Sequence, residues 1–472
     1  MAPIETRRRR AGIAALLCAI VAAVTAGLIA APGPGPAHAQ TSAARGIVCS
    51  DFGGGPPYRF QAYEATRDRA PYLSAQRLAA VDALLPSEPD FALPEMEAGP
   101  ADRRSVEPDS LIPDVLLHAI GWVESTLNQT AIQVPYESVG PVLISPDCAY
   151  GVMQVASAFS NRGDTPSRTE ALTGTHYAYN IAAGARILIE KWNGDVIPVV
   201  GMGEREFIEA WYYALWAYNG WATSNHPAGP EVDPFRSLPY DCDGPYNGYT
   251  YQELVIGCLI NPPAPDGRPL WPAVPVEHPD LAALAQPGGP LDPEHFFTGW
   301  RRLLAGPFAA PDHGRPFDAM NAPLPAGAQP YRPAPLGEAE AEAARRAIFG
   351  DPRPEVEGGP LELGPDGEVV RPLEFTIRNA GSGLLVYRVV PEDAWLRVSL
   401  DAGVAVGSPP GRSRDDVTVQ VEIEAGGLPA GVYEGSILVE ALLPGGGVET
   451  TRVAVGLEKQ GVPQYEAGRP RS

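Results

Sequence analysis

The stretch SLIPDVLLHAIGWVES, residues 110–125, sets the fold prediction because its apolar positions recur with the spacing of an amphipathic helix. Pro113 suits the first turn of that helix, where a missing backbone N–H costs nothing. Glu124 follows at the border of the apolar stripe, a position at which a lone glutamate is ordinarily solvated. The helix alone therefore assigns no function to Glu124. The stripe is formed by Leu116, Ile120 and Val123.

Three further blocks follow in order along the chain. The first, SPDCAYGVMQ at 145–154, has the composition of a turn that leads into a short apolar segment. The second, NIAAG at 180–184, opens a helix with apolar residues on one side. The third, ALWAYNG at 214–220, ends a helix whose buried face also includes Trp211, and Gly220 suits a left-handed cap. We expect all three to lie in a helical region with Glu124.

The four blocks, taken in this order, resemble the soluble lytic transglycosylase domain of the lysozyme-like superfamily. That family has Glu-Ser at a helix end, then Ser-x-x-Gly-Ala-x-Gly-Leu-Met-Gln, Asn-Ile-x-x-Gly and Ala-x-x-Ala-Tyr-Asn-Ala-Gly. The likeness covers about residues 108–222. This chain departs from the family in its long link, with Ser145 lying 21 positions after Glu124, and in Cys148, which replaces a glycine. The third block also ends in Asn-Gly without the family's alanine.

The resemblance implies an enzyme that cleaves the MurNAc–GlcNAc β-1,4 bond of peptidoglycan glycan strands. Protonation of the leaving oxygen needs a carboxylic acid that stays neutral near neutral pH. Apolar surroundings raise the pKa of a carboxyl group in this way. In the family's route the sugar's acetamido group helps to expel the leaving group, and the muramyl 6-hydroxyl then attacks to form a 1,6-anhydro end. Glu124 would act first as the acid and then as the base.

A set of substrate-binding residues follows from the same motifs. The resemblance implies that Ser145 bonds the acetamido group, that Gln154 contacts the substrate, and that Tyr218 positions Glu124 or a sugar hydroxyl. Each has a structural alternative, since Ser145 can cap a helix and Gln154 or Asn180 can satisfy buried backbone groups. Met153 can equally be core packing. The predicted set is Ser145, Met153, Gln154, Asn180, Tyr218 and Asn219.

Asp147 leaves the reaction product open. If it holds a water opposite Glu124, the product is hydrolytic; otherwise it is an ordinary turn aspartate. The hypotheses are therefore a lytic transglycosylase, a hydrolytic muramidase on the same fold, and a non-catalytic wall-binding or scaffold protein. No cofactor and no metal site is predicted, because no cluster of ligating residues has suitable spacing.

The N-terminal 39 residues have the pattern of an export signal. Four arginines at 7–10 precede an uncharged apolar stretch at 11–31, and Ala-His-Ala ends at Ala39 before Gln40. An uncleaved anchor is the alternative, since the apolar stretch is long enough to span a bilayer. The pattern predicts export to the periplasm, the cell wall or the exterior, without stable membrane insertion after cleavage.

Cysteines and charge limit the partners. In an oxidising compartment the four remaining cysteines are expected in two disulfides. The sequence does not choose among their three pairings; local separation favours Cys242 with Cys258, which leaves Cys49 for Cys148. A metal site is the alternative, but it lacks the usual Cys-x-x-Cys spacing. The net charge of −22, without basic clusters, makes nucleic acid an unfavourable partner.

The C-terminal part changes character. Residues 361–458 contain about six or seven short alternating segments with turn signals between them, which is typical of an antiparallel β-sandwich. The spacing from NAGSG at 379–383 through Trp395 to Tyr433 resembles bacterial Ig-like modules of the BACON type. That resemblance implies binding of a carbohydrate or wall polymer; a spacer or protein-docking role is the alternative.

The predicted chain is therefore multidomain. It has an α-helical lysozyme-like catalytic domain and a C-terminal all-β Ig-like sandwich, joined by a Pro/Gly-rich region. The predicted segments are a signal peptide (1–39), an N-terminal segment packing on the catalytic domain (40–105), the transglycosylase domain (106–275, core 108–222), a Pro-rich linker with a short helix (276–360), the sandwich (361–458) and a disordered tail (459–472).

Overall fold

The computed structural model describes most of the chain between residues 56 and 460. The predicted signal peptide, Cys49, residues 281–320 of the predicted linker and residues 461–472 lie outside the described residues. The described ranges are 56–157, 159, 165–194, 198–220, 225–229, 232–280, 321–365, 369–407 and 416–460.

The helix that carries Glu124 is present where the sequence pattern predicts it. Pro113 precedes its first turn, and Thr126, whose φ of 53° is left-handed, caps its C-terminal end. A backbone hydrogen bond of 3.0 Å from the Leu127 N–H to the Gly121 carbonyl closes this end. The described α-helices are α1 (Ala70–Ala79), α2 (Asp114–Ser125), α3 (Arg168–Thr175), α4 (Tyr177–Trp192), α5 (Tyr212–Tyr218), α6 (Tyr251–Ile260) and α7 (Glu338–Phe349).

Fifteen strands lie among the described residues, mostly in the C-terminal part. Six of the first strands form two-stranded pairs: β1 with β4, β2 with β3, and β5 with β6. The strands are β1 (Gln61–Tyr63), β2 (Met96–Ala98), β3 (Ser105–Glu107), β4 (Val139–Pro141), β5 (Val199–Val200), β6 (Asn321–Ala322), β7 (Pro354–Glu357), β8 (Leu361–Leu363), β9 (Glu374–Asn379), β10 (Leu384–Pro391), β11 (Leu396–Val398), β12 (Ala402–Val406), β13 (Val417–Ile423), β14 (Gly431–Leu442) and β15 (Val448–Lys459).

The C-terminal strands form two sheets around a shared apolar core. One sheet has the order β12-β10-β14-β15-β8 and the other has the order β11-β13-β9-β7. Side chains from both sheets fill the space between them, because alternate residues of each strand point to the same side. The largest fully buried side chains of this core are Phe375 and Tyr387.

The other face of the five-stranded sheet packs against the helical part. Leu384, Val386 and Val404 belong to the same apolar core as α2 and α4. Phe60, just before β1, forms a parallel bridge with Ala402 of β12. The Arg388 guanidinium of β10 donates 2.8 Å to the Pro166 carbonyl. The sheet and the helices therefore share one continuous core.

The predicted fold class is wrong. The structure is a mixed α and β protein, about 26% helical and 24% strand, with seven short helices among the described residues and several sheets. Strands of both halves of the chain pack with the helices, so the described part is not an α-helical lysozyme-like domain tethered to a separate all-β module. The sequence pattern describes one strand at a time, whereas this arrangement depends on contacts between residues hundreds of positions apart.

A chain that ends at residue 360 is expected to lose cooperative unfolding. It would lack five side chains of the shared core, and burial of each larger apolar side chain contributes about 1.5 to 3 kcal/mol. Their sum approaches the net stability of a typical domain. Thermal melts followed by near-UV circular dichroism test this, and a sharp transition close to that of the full chain would contradict it. The five are Leu384, Val386, Ala402, Val404 and Leu442.

Candidate active site

The four sequence blocks converge on the turn at residues 150–154. The Ser125 hydroxyl donates 2.8 Å to the Val152 carbonyl, and so joins the Glu-Ser block to this turn. The Tyr218 hydroxyl donates 2.9 Å to the Met153 carbonyl, and so joins the fourth block. Asn180, in the third block, contacts both ends of the turn. The backbone of one short turn therefore holds all four blocks together.

Asn180 is fully buried, and the hydrogen bonds of its side chain within the described residues are to backbone groups. Its Oδ1 accepts from the Met153 N–H at 2.8 Å, and its Nδ2 donates to the carbonyls of Tyr150 at 2.8 Å and Thr173 at 3.0 Å. These bonds pair the buried Met153 N–H and add a donor to the Tyr150 carbonyl, which also accepts from the Val155 N–H at 3.0 Å. In this structure Asn180 therefore has the structural role that the sequence left as an alternative.

Two glycines let the turn approach its neighbours. Gly151 has a φ of 72°, and a Cβ there would lie 2.6 Å from the Asn180 amide nitrogen. A Cβ on Gly184 would lie 2.7 Å from the Cβ of Met153, so α4 packs directly on that buried side chain. The glycines in the second and third blocks are thus explained by close packing. Met153 itself is part of the apolar core.

Gln129 is a contact of the turn that sequence analysis missed. Its Oε1 accepts from the Val152 N–H at 3.0 Å, and its Nε2 donates 3.2 Å to the Gly174 carbonyl. Gln129 lies in the long link between Glu124 and Ser145, which the four-block comparison treated as a departure. The sequence alone gives no sign of these contacts, because the two partners of Gln129 are 23 and 45 positions away along the chain.

Glu124 is buried at the C-terminal end of α2, with 4% of its surface exposed. Burial penalises the charged form and raises the pKa of its carboxyl group to about 8. The nearby Asp147 carboxylate raises it further, whereas the Tyr251 hydroxyl lowers it. Glu124 is thus mostly protonated at neutral pH, which is the state that a general acid requires.

Two tyrosines lie beside the Glu124 carboxyl group. The rings of Tyr218 and Tyr251 are stacked at 6.3 Å with an interplanar angle of 15°. The negative charge of Glu124 raises the pKa of both hydroxyl groups, in addition to the larger effect of burial. The Tyr251 hydroxyl is close enough to stabilise the Glu124 carboxylate, but it makes no hydrogen bond of good geometry.

Tyr251 was not predicted as a site residue, because it lies after the four blocks, at the first position of α6. The start of that helix is held by the Thr250 N–H, which donates 3.1 Å to the Glu253 carboxylate. The Glu253 carboxylate also pairs with the Arg236 guanidinium at 2.6 and 2.8 Å. The predicted disulfide between Cys242 and Cys258 is confirmed, and it ties the preceding loop to α6. Cys148 is also disulfide-bonded, while its predicted partner lies outside the described residues.

Ser145 and Asp147 form a short turn of their own. The Ser145 hydroxyl donates to the Asp147 carboxylate and accepts from the Ala149 N–H at 2.9 Å. The hydroxyl proton of Ser145 is therefore engaged with Asp147 in this structure. The negative charge of the Asp147 carboxylate also acts on Glu124, whose pKa it raises.

Gln154 and Asn219 lie at the edge of this arrangement. Gln154 has a left-handed backbone, with a φ of 46°, and its Nε2 donates 2.8 Å to the Gly151 carbonyl. Its Oε1 is buried and unpaired, which leaves an acceptor for a ligand. The Asn219 Oδ1 accepts 3.1 Å from Asn225, whose own Oδ1 accepts from the Tyr251 N–H. Asn219 thus supports Tyr251 indirectly.

The Glu64 side chain fixes the position of the long link that follows α2. Its buried carboxylate pairs with the Arg69 guanidinium at 2.9 Å and accepts from the Tyr72 hydroxyl at 3.0 Å. It also accepts from the backbone N–H groups of Gln129 and Thr130, each at 3.1 Å. A buried carboxylate with this many donors is well satisfied. Glu64 therefore has a structural role, and its charge is already balanced.

The described residues lack two further features. They include no group of three or more histidine, cysteine or acidic side chains arranged to hold a metal ion. They also include no helix with the length and apolar character needed to cross a membrane.

Comparison with known proteins identifies no family. No protein-family model matches the chain, and no curated protein matches it. Among solved structures, that of the periplasmic chaperone SfaE is similar to part of it, with 12% identity and a TM-score of 0.19. The match covers 23% of this chain and 59% of that one. A TM-score this low assigns neither the fold nor the function.

Proposed function

We propose that this chain cleaves the glycan strands of peptidoglycan as a lytic transglycosylase, with Glu124 as its acid. The observation that supports this most directly is a buried glutamic acid, with a pKa of about 8, at the point where the four blocks converge. The same four blocks carry the sequence resemblance to that enzyme family. Export to the compartment that contains the cell wall belongs to the proposal, because the substrate lies there.

The reaction begins with proton transfer from the Glu124 carboxyl group to the oxygen of the MurNAc–GlcNAc bond. As the C1–O bond breaks, the carbonyl oxygen of the neighbouring acetamido group bonds to C1, so the sugar itself supplies the electron pair. The muramyl 6-hydroxyl then attacks C1 and displaces that oxygen. The Glu124 carboxylate takes the 6-hydroxyl proton and returns to its neutral state. One carboxyl group therefore serves as acid and then as base.

The neighbouring polar groups fit supporting roles in this reaction. The Tyr251 hydroxyl stabilises the Glu124 carboxylate that forms after the first proton transfer. The unpaired Gln154 Oε1 offers an acceptor to a sugar hydroxyl or amide. Ser145 would donate to the acetamido group once the hydrogen bond from its hydroxyl to Asp147 is broken. Tyr218 fixes the floor of the site through Met153.

A hydrolytic muramidase is the second candidate, and the position of Asp147 favours it. The negative charge of the Asp147 carboxylate raises the pKa of Glu124, and this interaction supports the second candidate. A carboxylate there can activate a water molecule against C1, as the second acid of a two-carboxylate glycosidase does. The product would then carry a reducing end in place of the 1,6-anhydro end.

The end group of the released sugars decides between the two reactions. We expect the wild-type chain to release 1,6-anhydro muropeptides from purified peptidoglycan, as identified by mass analysis. Asp147→Asn is expected to keep that product and to change the rate about tenfold or less, because it removes a neighbouring charge and no proton donor. Reducing ends from the wild type, together with loss of activity in Asp147→Asn, would instead establish the hydrolase.

A further inference from the structure

Cys148 has a backbone conformation that ordinarily favours glycine. Its φ is 64°, in the left-handed region, where a Cβ is sterically unfavourable. The motif of the family that this chain resembles has a glycine at this position. Cys148 is nevertheless fully buried in the apolar core, and its sulfur is disulfide-bonded to a partner outside the described residues. Its covalent bond therefore distinguishes this position from the glycine of the family motif.

The loop at residues 145–149, which contains Cys148, is a compact unit. An antiparallel bridge between the residues that flank it closes its base. Within the loop, the Ser145 N–H donates 3.0 Å to the Ala149 carbonyl, and the Cys148 N–H donates 3.0 Å to the Ser145 carbonyl. A loop that is closed by its own hydrogen bonds moves as one body, so a single tether can hold all of it.

The tether is placed next to the exposed part of this loop. Asp147 is exposed, whereas its neighbour Cys148 is buried. The Ser145 hydroxyl donates to the Asp147 carboxylate and also accepts from the Ala149 N–H at 2.9 Å. The loop then continues directly into the turn at residues 150–154, to which all four sequence blocks bond. Anchoring Cys148 therefore fixes both polar side chains of the loop relative to that turn.

Three titratable side chains interact with the Glu124 carboxyl group. Burial is the largest cause of its raised pKa, the Asp147 charge raises that pKa further, and the Tyr251 hydroxyl of α6 lowers it. Tyr218 of α5 is affected in turn, since the negative charge of Glu124 raises the pKa of its hydroxyl group. Of the three, only Asp147 is carried by an exposed loop, so its effect on Glu124 depends on how firmly that loop is held.

We propose that the Cys148 disulfide is a positioning device for the reaction, which anchors the loop at residues 145–149 and so keeps the Asp147 carboxylate where its charge acts on Glu124. This inference rests on the proposed function, since the acid is the same. Loss of the disulfide frees the loop without removing a polar side chain. Glu124 then stays buried, but the effect of the Asp147 charge on it is weakened.

The test compares the titration of the Glu124 carboxyl group, followed by carbon-13 NMR, in the full wild-type chain and in Cys148→Gly. Glycine adopts a φ of 64° without cost, so this substitution removes the disulfide and leaves the backbone conformation favourable. The wild-type midpoint, near pH 8, is expected to fall by about half a pH unit, the size typical of one charge screened by water. Sugar release at pH 6 is expected to slow about 10-fold, because Ser145 is also displaced.

Asp147→Asn shows whether the effect passes through Asp147. This variant is expected to lower the midpoint as much as Cys148→Gly does, and the double variant should show no further fall. If Cys148→Gly does not fold, dithiothreitol added to the folded wild type and to folded Asp147→Asn takes its place. Reduction should then lower the midpoint in the wild type alone, whereas an effect through the Cys242–Cys258 disulfide would appear in both proteins.

A wild-type midpoint and rate in Cys148→Gly would overturn the positioning role, as would a fall in midpoint that persists in the Asp147→Asn background. If the midpoint falls as expected but the wild type releases no sugar from any wall, the positioning role stands and the proposed function fails. If the wild type releases sugar and Cys148→Gly keeps its midpoint and rate, the proposed function stands and the positioning role fails.

Discussion

Glu124→Gln is expected to unfold at a higher urea concentration than the wild type, by a margin that grows from about pH 5 to about pH 8. The folded-state pKa of Glu124 is about 8, against an ordinary value of 4.5 in the unfolded chain. Between these values the unfolded state loses a proton that the folded state keeps, so wild-type stability falls as pH rises. Glutamine has no proton to lose. The difference should reach roughly 3 to 5 kcal/mol near pH 8 and then level off.

Urea unfolding of both proteins at pH 5, 6, 7 and 8 measures this difference. Glu449→Gln replaces an exposed carboxyl on β15 and serves as the control, whose stability curve should run parallel to that of the wild type. A Glu124→Gln difference that stays constant over the four pH values would show that Glu124 is ionised in the folded protein. Such a residue is a poor proton donor near neutral pH. A stabilised variant without activity is the usual result when a strained functional group is removed.

Asn180→Ala is expected to destabilise the protein by about 3 to 5 kcal/mol and to abolish glycan cleavage. The substitution removes three hydrogen bonds to buried backbone groups. The Tyr150 carbonyl keeps its bond from the Val155 N–H, but a buried group left unpaired, such as the Met153 N–H, costs about 1 to 3 kcal/mol. The turn at residues 150–154 would lose a bond at each end. Because Tyr218 and Ser125 also bond to this turn, the geometry around Glu124 would be lost with it.

Asn219→Ala is the matched control, since Asn219 is only partly buried and accepts a single hydrogen bond in the described part of the chain. Its stability is expected to change by less than about 1 kcal/mol. Urea unfolding and glycan release are measured on both variants. If Asn180→Ala unfolds like the wild type and only its KM rises, Asn180 is a substrate ligand, and the structural role assigned to it is wrong.

Local patterns predicted individual elements well. The apolar stripe of residues 110–125 gave the position of α2, and turn and glycine signals located the four blocks around Glu124. These features depend on residues three to seven positions apart, which periodicity reports directly. The same reasoning placed Cys242 with Cys258, which are 16 positions apart.

Contacts between distant parts of the chain were not predictable in this way. β10 illustrates the difficulty, because its run Leu384–Val386 is buried on both faces rather than on alternate ones. A continuous apolar run of that kind indicates a strand covered on both sides. We expected a strand of a separate β-sandwich, and the helices that cover its other face precede it by some two hundred residues.

The long link after Glu124 is a second place where the sequence did not predict contacts between distant residues. Its length was visible in the sequence only as a departure from a motif. In the structure this link supplies Gln129, which bonds to the turn at residues 150–154, and Tyr136, whose side chain is exposed. Tyr251 was missed because it faces Glu124 from a helix that begins 127 positions later. A carboxyl group's neighbours are set by packing, so its pKa follows only from the fold.

The central claim is that Glu124 is the acid that breaks the glycan strand. Its most direct test is sugar release from purified peptidoglycan by the wild-type chain and by Glu124→Gln, compared at pH 6 and pH 9. We predict release by the wild type that declines as pH rises past about 8, and at least a 1,000-fold slower rate in the variant. Release by Glu124→Gln at a rate close to that of the wild type would contradict the account.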